Sequence, residues 1–293
     1  MGGLLQGPAY NYYDDKVMEE LVGSLNGTQL IAQGENIPVG IETITKDKLK
    51  ELKGEAARGR AGQPIPREMG ELEPHVVYML NIAHGFYVHE DKITASQRFG
   101  TPLPDTGARQ SARLVSKDIN DLIFNGDAGY KTKGMLDTTK IITVASGSEW
   151  NSTSGGNPYA IINKASAILS QNGLFSMKKI GLKPTAYDAM FNLVPNTSVT
   201  HAELIAKRLP NGLNDIIKIP IGLPADTDGV VCDFGPQIAE RYVIRDPTLQ
   251  ERATNEDGNI PFNVISDQGM MIKELDAFIK LKNLIDPTKI ATG

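Results

Sequence analysis

Apolar residues recur at Ala108, Ala112, Val115, Ile119, Leu122 and Ile123, with charged and amide side chains between them. Steps of four, three, four, three and one lay a single stripe along about 18 residues, the signature of an amphipathic helix. Asp105 or Thr106 is placed to cap its start, and Gly126 to stop it. A second helix opens at Pro158 and carries Ala160, Ile161, Ala165, Ile168 and Leu169 before Gly173 ends it. TAYDAMFNL and THAELIAKRL predict two shorter helices. Extended structure is expected over residues 37–45 and 75–95, and in KKIGLKPT, DIIKIPIGL, GVVCDF and AERYVIRD. Residues 262–284 predict a paired return of strands. Near the start, Asp14 or Asp15 is placed to cap a short helix bearing Val17, Met18, Leu21 and Val22, and Asn26-Gly27 marks a turn. Helices and strands mix without regular β-α-β alternation, so the expected class is α+β.

One stretch breaks the pattern. Residues 46–74 crowd Lys46, Lys48, Lys50, Lys53, Arg58 and Arg60 against Glu51, Glu55, Glu68, Glu71 and Glu73, punctuated by glycines and prolines. Few side chains here suit a core. A polar excursion of this length inside a compact domain is usually functional or unstructured. It reads either as a solvated loop or as an arm whose partner lies on another subunit. Residues 1–13, rich in glycine with Tyr10, Tyr12 and Tyr13, read as a second arm.

Composition narrows the function classes. The 293 residues are 40% hydrophobic and 22% charged, which suits a globular chain with a real core. The net charge of -5 argues against a general nucleic-acid binder, which usually shows a basic pole. A single cysteine, Cys232, leaves no internal disulfide and makes a reducing, intracellular setting the default. The N-terminal residues lack the basic start and apolar run of a secretory signal, and no apolar stretch approaches a membrane span.

Signatures of catalysis fail one by one. In LIFNGDAGYKTKGMLD, Gly129 and Gly134 have the separation of a phosphate loop, but Met135 and Leu136 stand where lysine and hydroxyl are needed. The stretch reads instead as a helix stop and a tight connection. His84 and His89 are five apart, the wrong spacing for a metal pair on a helix, and they fall on opposite faces of a strand. His201 sits at a helix start and reads as a surface or capping residue. Cys232, in an apolar strand, reads as buried and inert. Asp226 and Asp228 in PADTDG are too few and too close for a calcium loop, and read as a turn. Asp246, Glu251, Glu256 and Asp257 read as a solvated acidic patch. The chain is therefore expected to be no enzyme and to hold no metal and no cofactor.

In order along the chain, the landmarks resemble the shell fold of tailed phages, the HK97 type, and within it the encapsulin (linocin-like) branch. DDKVMEELVGSLNGTQLIAQGENIPVGIETI resembles the encapsulin opening. The 46–74 excursion lies where that family has its E-loop. ARLVSKDINDLIFNGDAGYKTKGMLD resembles the long spine helix and its closing signature, with Asp121, Ile123, Phe124, Gly126, Gly134 and Leu136 in the matching places. KKIGLKPTAYDAMFN and NDIIKIPIGLPADTDGVVCDF are similar to the entry into the A-domain and its strands. FNVISDQGMMIKELDAFIKL is similar to closing P-domain strands. The resemblance runs from about residue 14 to 284.

That resemblance implies an HK97-like capsid fold in five segments: an N-terminal arm and short helix (1–36), an E-loop with flanking strands (37–95), a P-domain with the spine helix (96–145), mainly A-domain (146–255), and closing P-domain strands with a C-terminal tail (256–293). Lys46, Lys50, Lys53, Arg58, Arg60, Glu68 and Glu71 are then expected to make E-loop contacts between subunits. Ala112, Val115, Ile119, Leu122, Ile123 and Phe124 are expected to form the spine-helix core. No lysine–asparagine pairing stands out, so no crosslink is expected.

The extension is longer than encapsulins usually have, and the tyrosine-bearing arm differs from theirs. On those departures the expected function is the major capsid protein of a tailed double-stranded DNA virus. It would assemble as pentamers and hexamers into an icosahedral shell in the host cytoplasm and end in the virion. The DNA would be enclosed without sequence-specific binding, and no membrane is involved. Scaffolding, portal or decoration proteins are the further partners implied, any scaffold being separate or already removed. The alternative is an encapsulin nanocompartment around a cargo enzyme. From another class comes a stand-alone α+β enzyme with an unrecognised site, which would form a small, compact oligomer.

Overall fold

The computed structural model describes residues 25–49, 72–92, 94, 106–151, 156–171, 173–251, 258–286 and 288. A 3-10 turn at Asn26–Leu30 leads into β1 (Ala32–Asn36). β2 (Thr43–Leu49) and β3 (Leu72–Tyr78) pair antiparallel and flank the polar excursion, whose residues 50–71 lie outside the described part. β4 (Leu80–His89) follows directly. The expected short helix at 14–22 and the cap at Asp105 also lie outside the described residues.

α1 (Thr106–Asn125) is the long helix of the stripe. Ala108, Ala112, Val115, Ile119, Leu122, Ile123 and Phe124 are all buried. Its inward face is wider than the apolar stripe, because Ser111, Ser116 and Asn120 are buried too. Ser111 Oγ lies 3.0 Å from His84 Nδ1 on β4, and Asn120 Nδ2 donates to the Ile221 carbonyl at 3.1 Å. Those bonds let Ser111 and Asn120 sit inward, whereas the Ser116 hydroxyl is buried without a hydrogen-bond partner. Gly126 takes a left-handed φ of 68° and ends the helix. β5 (Gly126–Asp127) and β6 (Thr132–Lys133) close the tight connection that follows. Its amides are already engaged: Asp127 Oδ1 accepts from Gly129 N at 2.8 Å, and Asp137 Oδ2 from Gly134 N at 3.0 Å. These carboxylates occupy the place a phosphate would need.

β7 (Ile141–Thr143), α2 (Pro158–Ser170), β8 (Lys179–Leu182), α3 (Pro184–Ala189), α4 (His201–Ala206), β9 (Ile216–Lys218) and β10 (Gly229–Cys232) come next. β11 (Ala239–Glu251), β12 (Asn259–Ile272) and β13 (Phe278–Lys282) complete the chain. Two main sheets result. One runs β1-β11-β12-β4, and the other β7-β13-β10-β8-β9.

The expected pairing within 262–284 is therefore corrected. β12 pairs with β11 and β4, whereas β13 pairs with β10 and β7. The link at Lys273–Ala277 carries the chain from one sheet to the other instead of turning a hairpin.

The five-stranded sheet is covered on both faces. Val230, Cys232, Ile217 and Phe278 pack on the side shared with α1. Val231, Ile180, Leu182, Ile279 and Leu281 pack on the side of α2, α3 and α4. Double burial explains why GVVC reads as a continuous apolar run and not as an alternation. The four-stranded sheet carries α1 on one face. On the other, Val77 of the hairpin base packs on Tyr242 and Met271.

Candidate assembly interface

Among the described residues no group of three or more His, Cys, Asp or Glu is placed to hold a metal ion. The four histidines lie apart. His84 bonds Ser111, and His89 Nδ1 lies 3.4 Å from Asp91 Oδ2. His75 stands opposite Lys46 in the hairpin.

His201 corrects its expectation, because it is buried at the first position of α4 and not on the surface. Thr200 is the cap: its Oγ1 accepts from Glu203 N at 3.2 Å while Glu203 Oε2 accepts from Thr200 N at 3.0 Å. His201 Nδ1 has no hydrogen-bond partner, and burial holds its pKa below the usual histidine value. The T-x-x-E spacing of a capping box was the signal that moves the cap from His201 to Thr200.

Asp226 and Asp228 are held by lysines. Asp226 Oδ2 lies 2.6 Å from Lys282 Nζ and 3.4 Å from Lys280 Nζ. The Lys282 hydrogen bond in particular pulls its pKa down to about 2. Lys183 Nζ lies 3.7 Å from Asp228 and donates to the Pro224 carbonyl at 2.8 Å. Protein cations thus fill the places a calcium ion would take. Cys232 is fully buried, and burial pushes its thiol pKa up to about 12, which leaves it protonated and unreactive at neutral pH.

What the molecule offers instead is surface. Of the expected arm contacts, only Lys46 falls among the described residues. It is engaged within its own chain, 3.2 Å from Glu35 Oε2 and over the Tyr242 ring. Lys50, Lys53, Arg58, Arg60, Glu68 and Glu71 lie outside the described part. The hairpin base turns Val77 inward, so Leu72, Val76 and Tyr78 face out. Tyr130, from the turn after α1, approaches Tyr78 with ring centroids 5.8 Å apart.

Below the hairpin the sheet face opposite α1 is open. Asn81, Ala83, Gly85, Tyr87 and His89 of β4 are exposed, with Tyr87 at 70%. On the other face of the same strand, Phe86 stacks on Phe262 at 5.3 Å and Val88 is buried. An antiparallel sheet tolerates one solvated face, and Tyr87 is the large side chain exposed along this one.

Comparison with known proteins gives these surfaces a context. Residues 5–221 match the family model of the Linocin_M18 encapsulating protein for peroxidase. The Type 1 encapsulin shell protein EncA of Myxococcus xanthus is 26% identical over 197 residues, which span 67% of this chain and 66% of that protein. A virus-like particle from Pyrococcus furiosus superposes with a TM-score of 0.63 at 16% identity, covering 93% of this chain and 99% of that one. A structure from Mycobacterium phage Bobi gives 0.63 at 14% identity, over 96% and 94%. The shared architecture is the HK97-like capsid fold, common to both kinds of particle.

Proposed function

The chain belongs to the family of encapsulating proteins for peroxidase, and from that premise we propose that it is the shell subunit of an encapsulin-type nanocompartment. Copies self-assemble into a closed icosahedral shell of pentamers, with or without hexamers, around a separate cargo enzyme of the peroxidase kind that the family description names. The single observation that carries this reading is the family match over residues 5–221. It reverses the order of the two leading expectations. The major capsid protein of a tailed virus becomes the alternative, because phage shells share the fold but the sequence match points to the encapsulating family. Scaffolding, portal and decoration partners, enclosed DNA and a virion location go with that alternative.

In this reading the chain performs no chemistry itself. Its work is geometric: a covered five-stranded sheet keeps the subunit rigid, while the hairpin and the open face of the four-stranded sheet meet neighbours. No described helix is long and apolar enough to cross a membrane, which fits a particle that assembles away from the bilayer.

The test is to express the chain in its native cell, isolate particles and analyse their contents. Shells that hold a co-purifying enzyme and no packaged genome support the proposal. Shells filled with a discrete double-stranded DNA, attached to tails, establish the viral alternative. Small, uniform oligomers in every buffer return the question to enzymes.

A further inference from the structure

Two arginines on β11 are treated differently by the fold. Arg245 Nε lies 3.5 Å from Asp267 Oδ2, an ion pair across the β11–β12 ladder. Arg241, four residues earlier, has no carboxylate within ion-pair distance among the described residues. Its hydrogen bond runs from Nη1 to Gln268 Oε1 at 3.1 Å. A guanidinium carries five N–H donors and no acceptor, so most of its fork is left over. The residue is half-buried, and burial lowers its pKa, opposed only through space by Asp246.

Gln268 shows that the shortage is one of acceptors. It is 1% exposed. Arginine can only donate, so the amide oxygen must face Arg241, and Nε2 is left buried without a partner. Turning the amide over would set donor against donor. Two side chains on neighbouring strands therefore hold spare N–H groups side by side. Buried donors are normally satisfied, and the charge on the guanidinium favours an acceptor that is negative.

The ladder fixes where these donors lie. Arg241 is the register partner of Met270 on one side and of Gln33 on the other. Met270 belongs to the core shared with α1, and Gln268 stands two residues along on the same face. Gln33, on the edge strand β1, is exposed. The spare donors thus sit at the margin of that core, where the sheet edge meets solvent. The planar fork of arginine matches two oxygens on one atom, the arrangement in carboxylates and phosphates.

We infer that Arg241 and Gln268 form a binding site for a small oxyanion, a carboxylate or a phosphate. Arg241 supplies the charge and the fork, and Gln268 supplies a further N–H. Occupancy neutralises the guanidinium and satisfies the amide, so it stabilises the four-stranded sheet. The site lies within one chain, and the inference stands apart from the assembly reading.

The test titrates the full-length chain with sodium acetate and with inorganic phosphate, separately, at an ionic strength held constant with chloride. The wild-type chain should bind at least one of them saturably by titration calorimetry, and its unfolding midpoint should rise with that anion's concentration. The tighter of the two names the source. Arg241→Gln should weaken binding about tenfold or more, the loss of one charge-assisted contact. Arg245→Gln, whose partner is already Asp267, should leave the affinity within about twofold. Gln268→Glu is the sharper variant, and it decides the matter if Arg241→Gln fails to fold. It sets a carboxylate from the chain itself against Arg241, so it should raise the midpoint in chloride alone and abolish the response to added oxyanion. A lower midpoint with the response retained would make Gln268 merely structural and overturn the inference. So would a wild-type chain that binds neither anion, or binding that survives unchanged in Arg241→Gln.

Discussion

The two main sheets differ in how much of their own surface the chain completes. Every residue of β10 is buried, and β8 and β13 expose little. Apolar side chains meet both faces of that sheet, and the lysines at its rim pair with Asp226, Asp228 and Asp233. Six of the ten residues on β4, at the edge of the other sheet, are exposed along its length. That sheet carries exposed Tyr87, and its hairpin presents Leu72, Val76 and Tyr78. The first arrangement is finished within one subunit. The second leaves large apolar side chains of β3 and β4 uncovered by the described residues. A shell subunit needs both, because a rigid body is required to transmit the geometry set at its contacts.

The comparison is broken most severely by opening the covered sheet. Phe278 is fully buried where β13 meets the core shared with α1. Phe278→Ala should cost about 3–5 kcal/mol of subunit stability, read from the denaturant midpoint of dissociated subunits. A loss no larger than that of a surface change would show that this sheet is not the stable body.

Asp233 comes next. Its carboxylate lies 2.7 Å from Lys178 Nζ and accepts from the amides of Phe234 and Ser176. Asp233→Ala removes the acceptor of both amides and the ion-pair partner of Lys178, and should cost about 2–3 kcal/mol. Asp233→Asn, which keeps an acceptor for one amide, should recover part of that loss.

Acid gives a smaller and more local effect. His201 has its pKa lowered by burial, so the unfolded chain binds a proton more readily than the folded one. Stability then rises with pH through this range. It is complete above the ordinary histidine value and declines as pH falls below it. Denaturant midpoints taken between pH 7 and pH 5 should fall, and His201→Gln should flatten that part of the curve. An unchanged slope in the variant would remove His201 from the account.

The smallest effect on the subunit is expected where the surface awaits a partner. Tyr87→Ser and Leu72→Ser should change subunit stability by less than about 0.5 kcal/mol. Light scattering should nonetheless show impaired assembly. A large loss of subunit stability would mean that these side chains belong to the core.

Much of the fold was legible because local pattern and tertiary role agree. The α1 stripe, the Gly126 stop, Pro158 at the start of α2 and the apolar runs of β8 and β10 each satisfy a short-range rule. The partners of β12 and β13 were not legible. Both are apolar strands close in sequence, and only the crossing at Lys273–Ala277 sends them to different sheets. The inward polar face of α1 was missed for a related reason. Apolar periodicity assigns Ser111 and Asn120 no inward role, and their partners, His84 and the Ile221 carbonyl, are distant in sequence. The candidate surfaces were legible in kind, as an arm too polar for a core, but their described part lies in the hairpin base and on β4.

The most direct measurement is hydrogen exchange on the assembled particle and on its dissociated subunits, compared peptide by peptide. The account predicts that protection gained on assembly concentrates in β2, β3 and β4, while β8, β10 and β13 are equally protected in both states. Protection gained evenly across both sheets, or none gained in β3 and β4, would contradict it.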